Sequence, residues 1–421
     1  MTEKDIENGF YPLRPFQKWI IDRNFYKAKS TMMNIGSFIK LNPELDIEKF
    51  IDAFNKVLES HDVFRCRFVF HPESGEICQR FDGKIFPVQV ESWSDEEFNF
   101  LKKTFVEPFI LIDKPMYRIY IFKTPSANYL FVDVHHSILD GTACVLLLAR
   151  EIDMRYQGKK IKSPSSYAEL VAEEFKIPQE DLETARNFWR DMLKNFGNEK
   201  SLPPADISEN PSWQKGEFVY ELKNISQKFF RETGHKETNF FMAASMLAIA
   251  KSANRKKSLL TWVHNGRTNA KELRLFGLMI EQLPVALDFS ENIPIADLLK
   301  ILEKQTADGL KFRSGLDFVY DGNFEDGCAT FIFQKKNLGV QNYFKFGGFD
   351  CEVEDIQNNL WSAAQNTLDI EVSLTDDGKY FVAFHYDNGI YSENAMKNFA
   401  ELTDKIILQM QTENIFVSEI L

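Results

Sequence analysis

Hydrophobic positions along the chain repeat with two different periods, and this predicts a mixture of helices and strands. In 46–59, Phe50, Phe54 and Val57 are three and four residues apart behind Asp46, a plausible N-cap, which is typical of an amphipathic helix. Short apolar runs between turn residues predict strands, and Asp376-Asp377-Gly378 predicts a hairpin. The predicted helices are 14–26, 46–59, 95–105, 142–156, 225–232, 239–250, 293–312 and 393–410; the predicted strands are 35–41, 63–70, 116–122, 129–134, 218–222, 259–264, 283–289, 329–333, 368–374 and 380–386.

The same mixture of elements occurs in both halves of the chain, on either side of a polar connector at 201–211. A chain of 421 residues is longer than one hydrophobic core usually supports. We therefore predict an α+β protein of two lobes, 1–175 and 176–421.

Composition narrows the class of protein. Hydrophobic residues make up 44% and charged residues 27%, with 39 Phe, which is typical of a globular protein with large cores. No apolar run approaches the roughly 18 to 20 residues of a membrane span, and the N-terminus is polar, so we expect a cytoplasmic protein. The net charge of −12 argues against nucleic acid or an anionic membrane as a partner. Five scattered Cys without a C-x-x-C spacing argue against a disulfide framework and a zinc ribbon.

The strongest chemical signal is the segment 134–141, V-H-H-S-I-L-D-G, between a predicted strand and a predicted helix. In an extended backbone His135 and His136 point to opposite faces, so only one of them can face a reaction centre. A zinc site would need helical spacing and a third ligand, which are not evident, and both histidines could be structural. However, the adjacent Asp140 and Gly141 add a fixed charge and a backbone that permits close approach, which favours a site.

This H-H-x-x-x-D-G pattern resembles the signature of the condensation-domain superfamily of nonribosomal peptide synthetases, which also contains chloramphenicol acetyltransferases. Ser60–Phe68 is similar to the family's R-H-E-x-L-R-T-x-F motif, and 265–267 with 276–284 are similar to its G-R and G-x-F-V-N-T-L-P motifs. Segments 11–20, 368–374 and 385–387 resemble the opening and closing motifs, so the resemblance spans almost the whole chain. Departures include Ser60, Asp62 and Phe64 in the second motif, and Glu281 where Asn is usual.

The resemblance implies two chloramphenicol-acetyltransferase-like lobes in a V-shaped pseudo-dimer. It implies that His136 is catalytic, as a general base or by positioning the amine, and that the Gly141 N–H faces the reacting carbonyl. His135 and Asp140 would be structural, with Asp140 paired to an Arg that we identify as Arg65. Gln334 and Ser373 are expected to line a tunnel, although each could be an ordinary strand residue.

The implied reaction joins a thioester-bound acyl donor to an aminoacyl group on a peptidyl carrier protein. No bound cofactor or metal is implied; the substrates are carried on phosphopantetheine arms or, for the donor, on coenzyme A. The opening motif begins near the N-terminus and 416–421 resembles a linker to an adenylation domain. We therefore expect a starter domain in a larger synthetase, with a fatty acyl donor from an acyl carrier protein or acyl-coenzyme A, as in lipopeptide synthesis.

Three alternatives share the same fold. A coenzyme A-dependent acyltransferase of the plant type would carry a D-F-G-W segment, which we do not find. An epimerisation domain usually shows E-G-H-G-R-E, whereas 263–268 reads V-H-N-G-R-T. A non-catalytic recruitment domain tends to lack the second His or the Gly, and both are present here.

Overall fold

The computed structural model describes residues 1–26, 30–194, 196, 201–323, 327–335, 343–354 and 366–421. Its strands are β1 (Asn34–Lys40), β2 (Arg67–Phe70), β3 (Ile77–Arg80), β4 (Gln89–Ser92), β5 (Tyr117–Lys123), β6 (Asn128–His135), β7 (Lys215–Leu222), β8 (Lys257–His264), β9 (Glu281–Asp288), β10 (Ala329–Lys335), β11 (Tyr343–Phe346), β12 (Phe349–Val353), β13 (Leu368–Leu374) and β14 (Tyr380–Asp387).

The helices are α1 (Glu3–Glu7), α2 (Pro15–Tyr26), α3 (Ile47–Ser60), α4 (Asp95–Leu101), α5 (Leu148–Tyr156), α6 (Tyr167–Phe175), α7 (Gln179–Lys194), α8 (Gln227–Thr233), α9 (Glu237–Ser252), α10 (Ile295–Lys311), α11 (Leu316–Phe318), α12 (Glu393–Met410) and α13 (Val417–Ile420). Shorter helical turns are three 3-10 segments, Asp62–Arg65, Glu272–Arg274 and Arg313–Gly315, and two π segments, Thr142–Leu147 and Val319–Asn323.

The chain forms two compact units that are discontinuous in sequence. The first unit begins with 1–177 and also contains 265–280 and, among the described residues, 343–354; the second contains 178–264, 281–323, 327–335 and 366–421. The sequence predicted an unbroken second lobe from 176 to 421, and the two returning segments depart from that prediction. The reason is tertiary pairing: β12 adds to β1 of the first unit, with Ile39 opposite Val353.

The first unit contains a six-stranded sheet in the order β11-β12-β1-β6-β5-β4, antiparallel except for β4 with β5. Its two faces bury different cores because successive side chains alternate. Phe38 opposite Phe131 belongs to an aromatic cluster, whereas Ile39 opposite Leu130 belongs to the larger apolar core. The odd positions of β6 thus place Asp133 and His135 on the same face as Phe131.

The second unit contains a six-stranded sheet in the order β7-β14-β13-β10-β8-β9, in which β10 runs parallel to both β13 and β8. One face packs on α9, whose residues 239–250 are all buried. That helix is apolar on every side, which is typical of a helix inside a core.

Most predicted elements exist with small shifts of their ends, and the α+β class is confirmed. The prediction for 393–410 is confirmed as α12, and Asp46 caps α3 by accepting the Lys49 N–H. The predicted strand 63–70 is wrong in its first half, because 62–65 forms a 3-10 turn. There the Asp62 carboxylate accepts the Tyr167 and Ala168 N–H groups at the start of α6. The predicted helix 95–105 ends earlier, at Leu101.

Two features concern covalent cross-links and membrane spans. The five cysteines, all within the described residues, are free thiols in the structure. Within the described ranges no helix is both long and apolar enough to cross a bilayer.

Candidate active site

The two histidines of 134–141 lie at the end of β6 in different environments. Backbone hydrogen bonds hold both: the His135 N–H donates to the Met116 carbonyl at 2.9 Å and the His136 N–H to the Met33 carbonyl at 2.7 Å. His135 is fully buried, while His136 is half-buried. His135 is the last residue of β6 and His136 begins the turn that follows it, so the prediction of opposite faces, which assumed an extended backbone through both residues, stays a prediction.

His135 is enclosed by hydrogen bonds. Its Nδ1 accepts from the Ser137 backbone N–H at 3.3 Å and lies 2.7 Å from the Ser137 hydroxyl oxygen, so Nε2 carries the proton and donates to Asn24 Oδ1 at 3.3 Å. Burial, together with the nearby His136 and Arg118, lowers the pKa of His135 to about 3. A ring that is neutral, buried and satisfied on both nitrogens supports the structural interpretation.

His136 retains proton-accepting capacity. Its Nδ1 is buried and makes no hydrogen bond to any described residue. Burial lowers the pKa of His136 below its ordinary value of 6.5, and the Asp140 carboxylate partly opposes this shift. The ring is thus neutral at physiological pH and can take up a proton, which is the property required of a general base.

Asp140 closes the loop after His136 through three hydrogen bonds. One carboxylate oxygen accepts the Ala143 N–H at 2.8 Å, and the other accepts both the Met279 N–H and Arg267 Nη1, each at 2.8 Å. The Asp140 and Arg267 side chains are both fully buried. An ion pair of this kind fixes geometry, since loss of either partner would leave an uncompensated buried charge.

The predicted pairing of Asp140 with Arg65 is therefore wrong. Arg65 Nη1 donates to the Glu59 carbonyl at 3.0 Å instead. Arg267 is 127 residues from Asp140 in sequence and reaches it because 265–280 returns to the first unit. The sequence carried the necessary signal in the Gly266-Arg267 dipeptide, which belongs to the segment that resembles the family's G-R motif.

Gly266 and Gly277 allow the segment 265–280 to pack within the first unit. Gly266 has φ of +65°, and a Cβ there would lie 1.7 Å from the Met279 carbonyl oxygen. A Cβ at Gly277 would lie 2.2 Å from the Tyr167 ring. Both positions require glycine for backbone approach, and they place Arg267 and the Met279 N–H beside Asp140.

Gly141 differs from these two glycines. It has helical dihedral angles, precedes the π segment 142–147, and a Cβ there would meet no atom within 4 Å. The space around it is open, and an N–H at the start of a helical segment has no intrahelical acceptor. The sequence-based role of Gly141, an N–H directed at a reacting carbonyl, therefore remains a prediction that this geometry permits.

The buried side-chain amides of Gln17 and Gln79 support the loop that follows His136 through hydrogen bonds. The sequence analysis assigned neither residue a role. Gln17 Nε2 donates to the Ser137 carbonyl at 2.9 Å and to Gln79 Oε1 at 3.0 Å. Gln79 Nε2 in turn donates to the Pro12 carbonyl at 2.8 Å. Gln17 lies in the segment 11–20, which resembles the opening motif of the family, whereas no motif or pattern in the sequence pointed to Gln79.

Asp133 is a second buried carboxylate on the strand that carries the histidines. It is fully buried, accepts two hydrogen bonds of 3.1 Å from Asn34 Nδ2, and lies 3.3 Å from Arg118 Nε. Burial raises the pKa of Asp133 to about 7, although Arg118 and Asn34 oppose the shift. The sequence did not single out this residue.

Gln334 and Ser373 lie side by side in the second unit. They are register partners on the parallel strands β10 and β13, and both are half-buried. This placement leaves their expected role as tunnel-lining residues a prediction. In the described ranges no group of His, Cys, Asp or Glu has the geometry to hold a metal ion.

The family model "Condensation domain" matches residues 7–414. The chain therefore belongs to the condensation-domain family, the acyltransferase domains that form peptide bonds in nonribosomal peptide synthetases.

Curated relatives are large synthetases. Surfactin synthase subunit 2 of Bacillus subtilis (strain 168) is 25% identical over 71% of this chain and 8% of its own length. Bacitracin synthase 3 of Bacillus licheniformis is 23% identical over 94% of this chain and 6% of its own length. The chain thus spans less than a tenth of the length of these two relatives.

Solved structures share the fold at low identity. The condensation domain from the Monacolin K polyketide synthase MokA has a TM-score of 0.76 at 17% identity, covering 97% of this chain and 99% of that one. The epimerization domain from the third module of tyrocidine synthetase B has a TM-score of 0.72 at 18% identity, covering 96% of this chain and 97% of that one. The starter condensation domain of rhizomide synthetase RzmA has a TM-score of 0.76 at 14% identity, covering 96% of this chain and 97% of that one. The fold alone does not select among these activities.

Proposed function

We propose that this chain forms an amide bond between a thioester-bound acyl donor and the amine of an aminoacyl group held on a peptidyl carrier protein. The observation that carries the proposal is the neutral, half-buried His136 in a loop fixed by the buried Asp140–Arg267 pair. The acceptor and donor would arrive on phosphopantetheine arms, so the domain itself would need no resident cofactor.

In the proposed reaction the amine nitrogen attacks the thioester carbonyl, the C–N bond forms, and the C–S bond breaks to release a thiolate, which becomes the thiol by taking up the proton that leaves the nitrogen. His136 accepts the proton that leaves the nitrogen, or orients the amine for attack. The Gly141 N–H donates to the carbonyl oxygen as negative charge develops on it. Asp140 takes no part in proton transfer, because both of its oxygens are already committed to hydrogen bonds with the protein.

For the donor we propose a fatty acyl group on coenzyme A or an acyl carrier protein, as in a starter domain. Residues 144–147, directly after the motif, are Cys-Val-Leu-Leu and all are half-buried, so they offer apolar surface near Gly141. A starter domain of the same fold has been solved in complex with C8-CoA and Leu-SNAC, which supports testing this donor first. A downstream adenylation domain in the same polypeptide, and a cytoplasmic location, belong to the same proposal.

The first test is product formation by mass spectrometry with octanoyl-coenzyme A and an aminoacyl carrier protein. We expect an N-acyl aminoacyl thioester from the wild type, and a rate at least about tenfold to a hundredfold lower for His136→Ala. The matched control is His71→Ala, a buried histidine of the β2–β3 hairpin, which should retain the wild-type rate.

The assay separates the alternatives. An unchanged single-turnover rate in a folded His136→Ala variant would refute the catalytic assignment. Product from peptidyl donors only would refute the starter assignment and leave amide formation intact. Exchange of the α-proton of the aminoacyl thioester without amide formation would replace condensation by epimerisation.

A further inference from the structure

A basic pocket in the first unit has no part in the proposed acyl transfer. The pocket has a volume of about 400 Å³ and lies where the second half of α3, the end of α5 and the loop 157–164 meet; we call it the α5 pocket. Its size is within the range of small-molecule sites. It shares no residue with the loop 134–141.

The chain around the pocket is positively charged, although the protein as a whole carries a net charge of −12. The segment 154–168 contains one Arg and three Lys and neither Asp nor Glu. Among the described residues that line the pocket, four are cationic, Lys56, Arg155, Lys159 and Lys162, and none is a carboxylate. A concave surface lined by one sign of charge raises the local concentration of ions of the opposite sign.

The guanidinium of Arg155 is held in place before any ligand binds. Its Nε donates to Glu151 Oε1 at 2.9 Å, and its Nη2 donates to the same oxygen at 2.6 Å and to Ser60 Oγ at 2.7 Å. The side chain is only 18% exposed. A fixed planar guanidinium is well suited to donate to phosphate oxygens, because little side-chain freedom remains to be lost.

The loop that carries the lysines starts from a fixed turn at the end of α5. Gly158 has φ of +68°, the Gly158 N–H donates to the Arg155 carbonyl at 3.0 Å, and the Lys159 N–H donates to the Met154 carbonyl at 2.9 Å. This pair of hydrogen bonds is the Schellman motif that ends many helices. The backbone of Lys159 is therefore held next to Arg155.

Two of the four cations have no opposite charge beside them. Lys56 pairs with Asp52 at 2.6 Å, and Arg155 pairs with Glu151. No carboxylate of the described ranges lies within ion-pair distance of Lys159 or Lys162. A phosphate monoester carries a charge of about −1.5 to −2 at neutral pH, which matches these two cations.

The size of the pocket and the charge of the whole protein select a small ligand. A net charge of −12 repels long polyanions such as nucleic acids, whereas a single phosphate group meets only the local positive charge. The lining also includes Ile161 and Pro164, which offer apolar surface, and the hydroxyl of Ser163, which is a hydrogen-bond donor. These groups suit a phosphate attached to a small organic body.

We propose that the α5 pocket binds the phosphate group of a small phosphorylated molecule. Lys159 and Lys162 balance the charge of the phosphate. The Arg155 guanidinium and the Ser163 hydroxyl donate hydrogen bonds to its oxygens, and the organic part packs on Ile161 and Pro164. A phosphate ester and a pyrophosphate present the same oxygen acceptors, so both sources of this chemistry require comparison.

Isothermal titration calorimetry of the full chain tests the proposal with four probes: inorganic phosphate, glycerol 3-phosphate, pyrophosphate and acetate. We expect saturable binding of glycerol 3-phosphate or pyrophosphate at one site per chain, weaker binding of inorganic phosphate, and none of acetate. The tighter of the first two decides between a phosphate ester and a pyrophosphate.

Three lysine variants locate the site. Lys159→Gln and Lys162→Gln should each weaken binding of the tighter probe by at least about tenfold, because each removes a hydrogen bond between charged partners. The matched control is Lys160→Gln: Lys160 lies between the two in sequence and is exposed, but it does not line the pocket. It removes the same charge from the same loop, and it should leave the affinity nearly unchanged.

The amide-forming assay keeps this proposal separate from the proposed function. Lys159→Gln and Lys162→Gln should form product at the wild-type rate, and calorimetry tests the pocket whether or not the wild type forms amide. No saturable binding of any phosphate probe would overturn the proposal, as would acetate binding as tightly as the phosphates. An equal loss of affinity in Lys160→Gln would also overturn it, since the effect would then belong to the general field of the loop.

Discussion

At the scale of single residues, β6 carries two ionisable groups whose pKa values shift in opposite directions. Asp133 and His135 lie two residues apart on one face of the strand and are both fully buried. Burial favours the neutral form of each, so it raises the pKa of the acid and lowers the pKa of the imidazole. This common cause predicts compensating effects of pH on stability.

Between about pH 4 and 6.5 the folded state binds one proton on Asp133 and none on His135, while the unfolded state binds one on the histidine and none on the acid. Stability from Asp133 is present below pH 3.8 and is lost as pH rises toward about 7. Stability from neutral His135 is present above pH 6.5 and is lost as pH falls toward about 3. Their contributions to the pH slope therefore cancel in the wild type.

In the Asp133→Asn variant, the pH dependence of stability that His135 contributes should no longer be cancelled. The substituted amide can still accept from Asn34, but it no longer titrates. We expect the free energy of unfolding of this variant to rise more steeply with pH between 4 and 6.5 than that of the wild type. Urea denaturation at several pH values measures this, and parallel profiles for the two proteins would contradict the assignment of opposite shifts.

At the scale of elements, Gly266 is required for folding, whereas Gly141 is proposed to act in catalysis, and their surroundings differ accordingly. Gly266 is required by its positive φ and by the Met279 carbonyl, so Gly266→Ala must displace the segment around Met279, whose N–H binds Asp140. Gly141 has helical angles and open space, so Gly141→Ala meets no steric obstacle in the fold.

We therefore expect opposite results from the two alanine substitutions. Gly141→Ala should leave the free energy of unfolding unchanged or raise it by up to about 1 kcal/mol, so the melting temperature should not fall. It should reduce amide formation, because its methyl group enters the space proposed for the substrate carbonyl. Gly266→Ala should lower the melting temperature or abolish soluble expression. Thermal unfolding and the mass-spectrometric assay, run on both variants, measure the two effects. Wild-type activity in Gly141→Ala would remove Gly141 from the site.

At the scale of the whole molecule, the proposed catalytic loop depends on chain that comes much later in sequence. Asp140 binds Arg267 and the Met279 N–H, and the His61 ring packs on Phe276 with centroids 3.9 Å apart. A fragment that ends at the predicted boundary, 1–175, retains Asp140 and His61 but lacks every one of these partners.

We expect the fragment 1–175 to lack cooperative folding. Removal of Arg267 leaves the buried Asp140 charge uncompensated, which in other proteins costs on the order of 3 to 5 kcal/mol, and removal of Phe276 opens the core as well. Near-ultraviolet circular dichroism and urea denaturation of the fragment, with the full chain as the control, measure this. A cooperative transition in the isolated fragment would show that the returning segments are dispensable.

The sequence by itself determined what depends on local pattern. Helix α12 follows from a periodic apolar face, and the Asp46 cap of α3 from a side chain that reaches an amide three residues away. The order of the motif-like segments identified the family. These features require only interactions between neighbouring residues or a resemblance of linear segments.

Only the tertiary structure decided which distant groups meet. Arg65 lies within the motif-like segment 60–68, but Arg267 pairs with Asp140, because Gly266 and Gly277 allow 265–280 to pack closely within the first unit. The pKa shifts of Asp133 and His135 arise from burial, which depends on the whole core rather than on neighbouring letters.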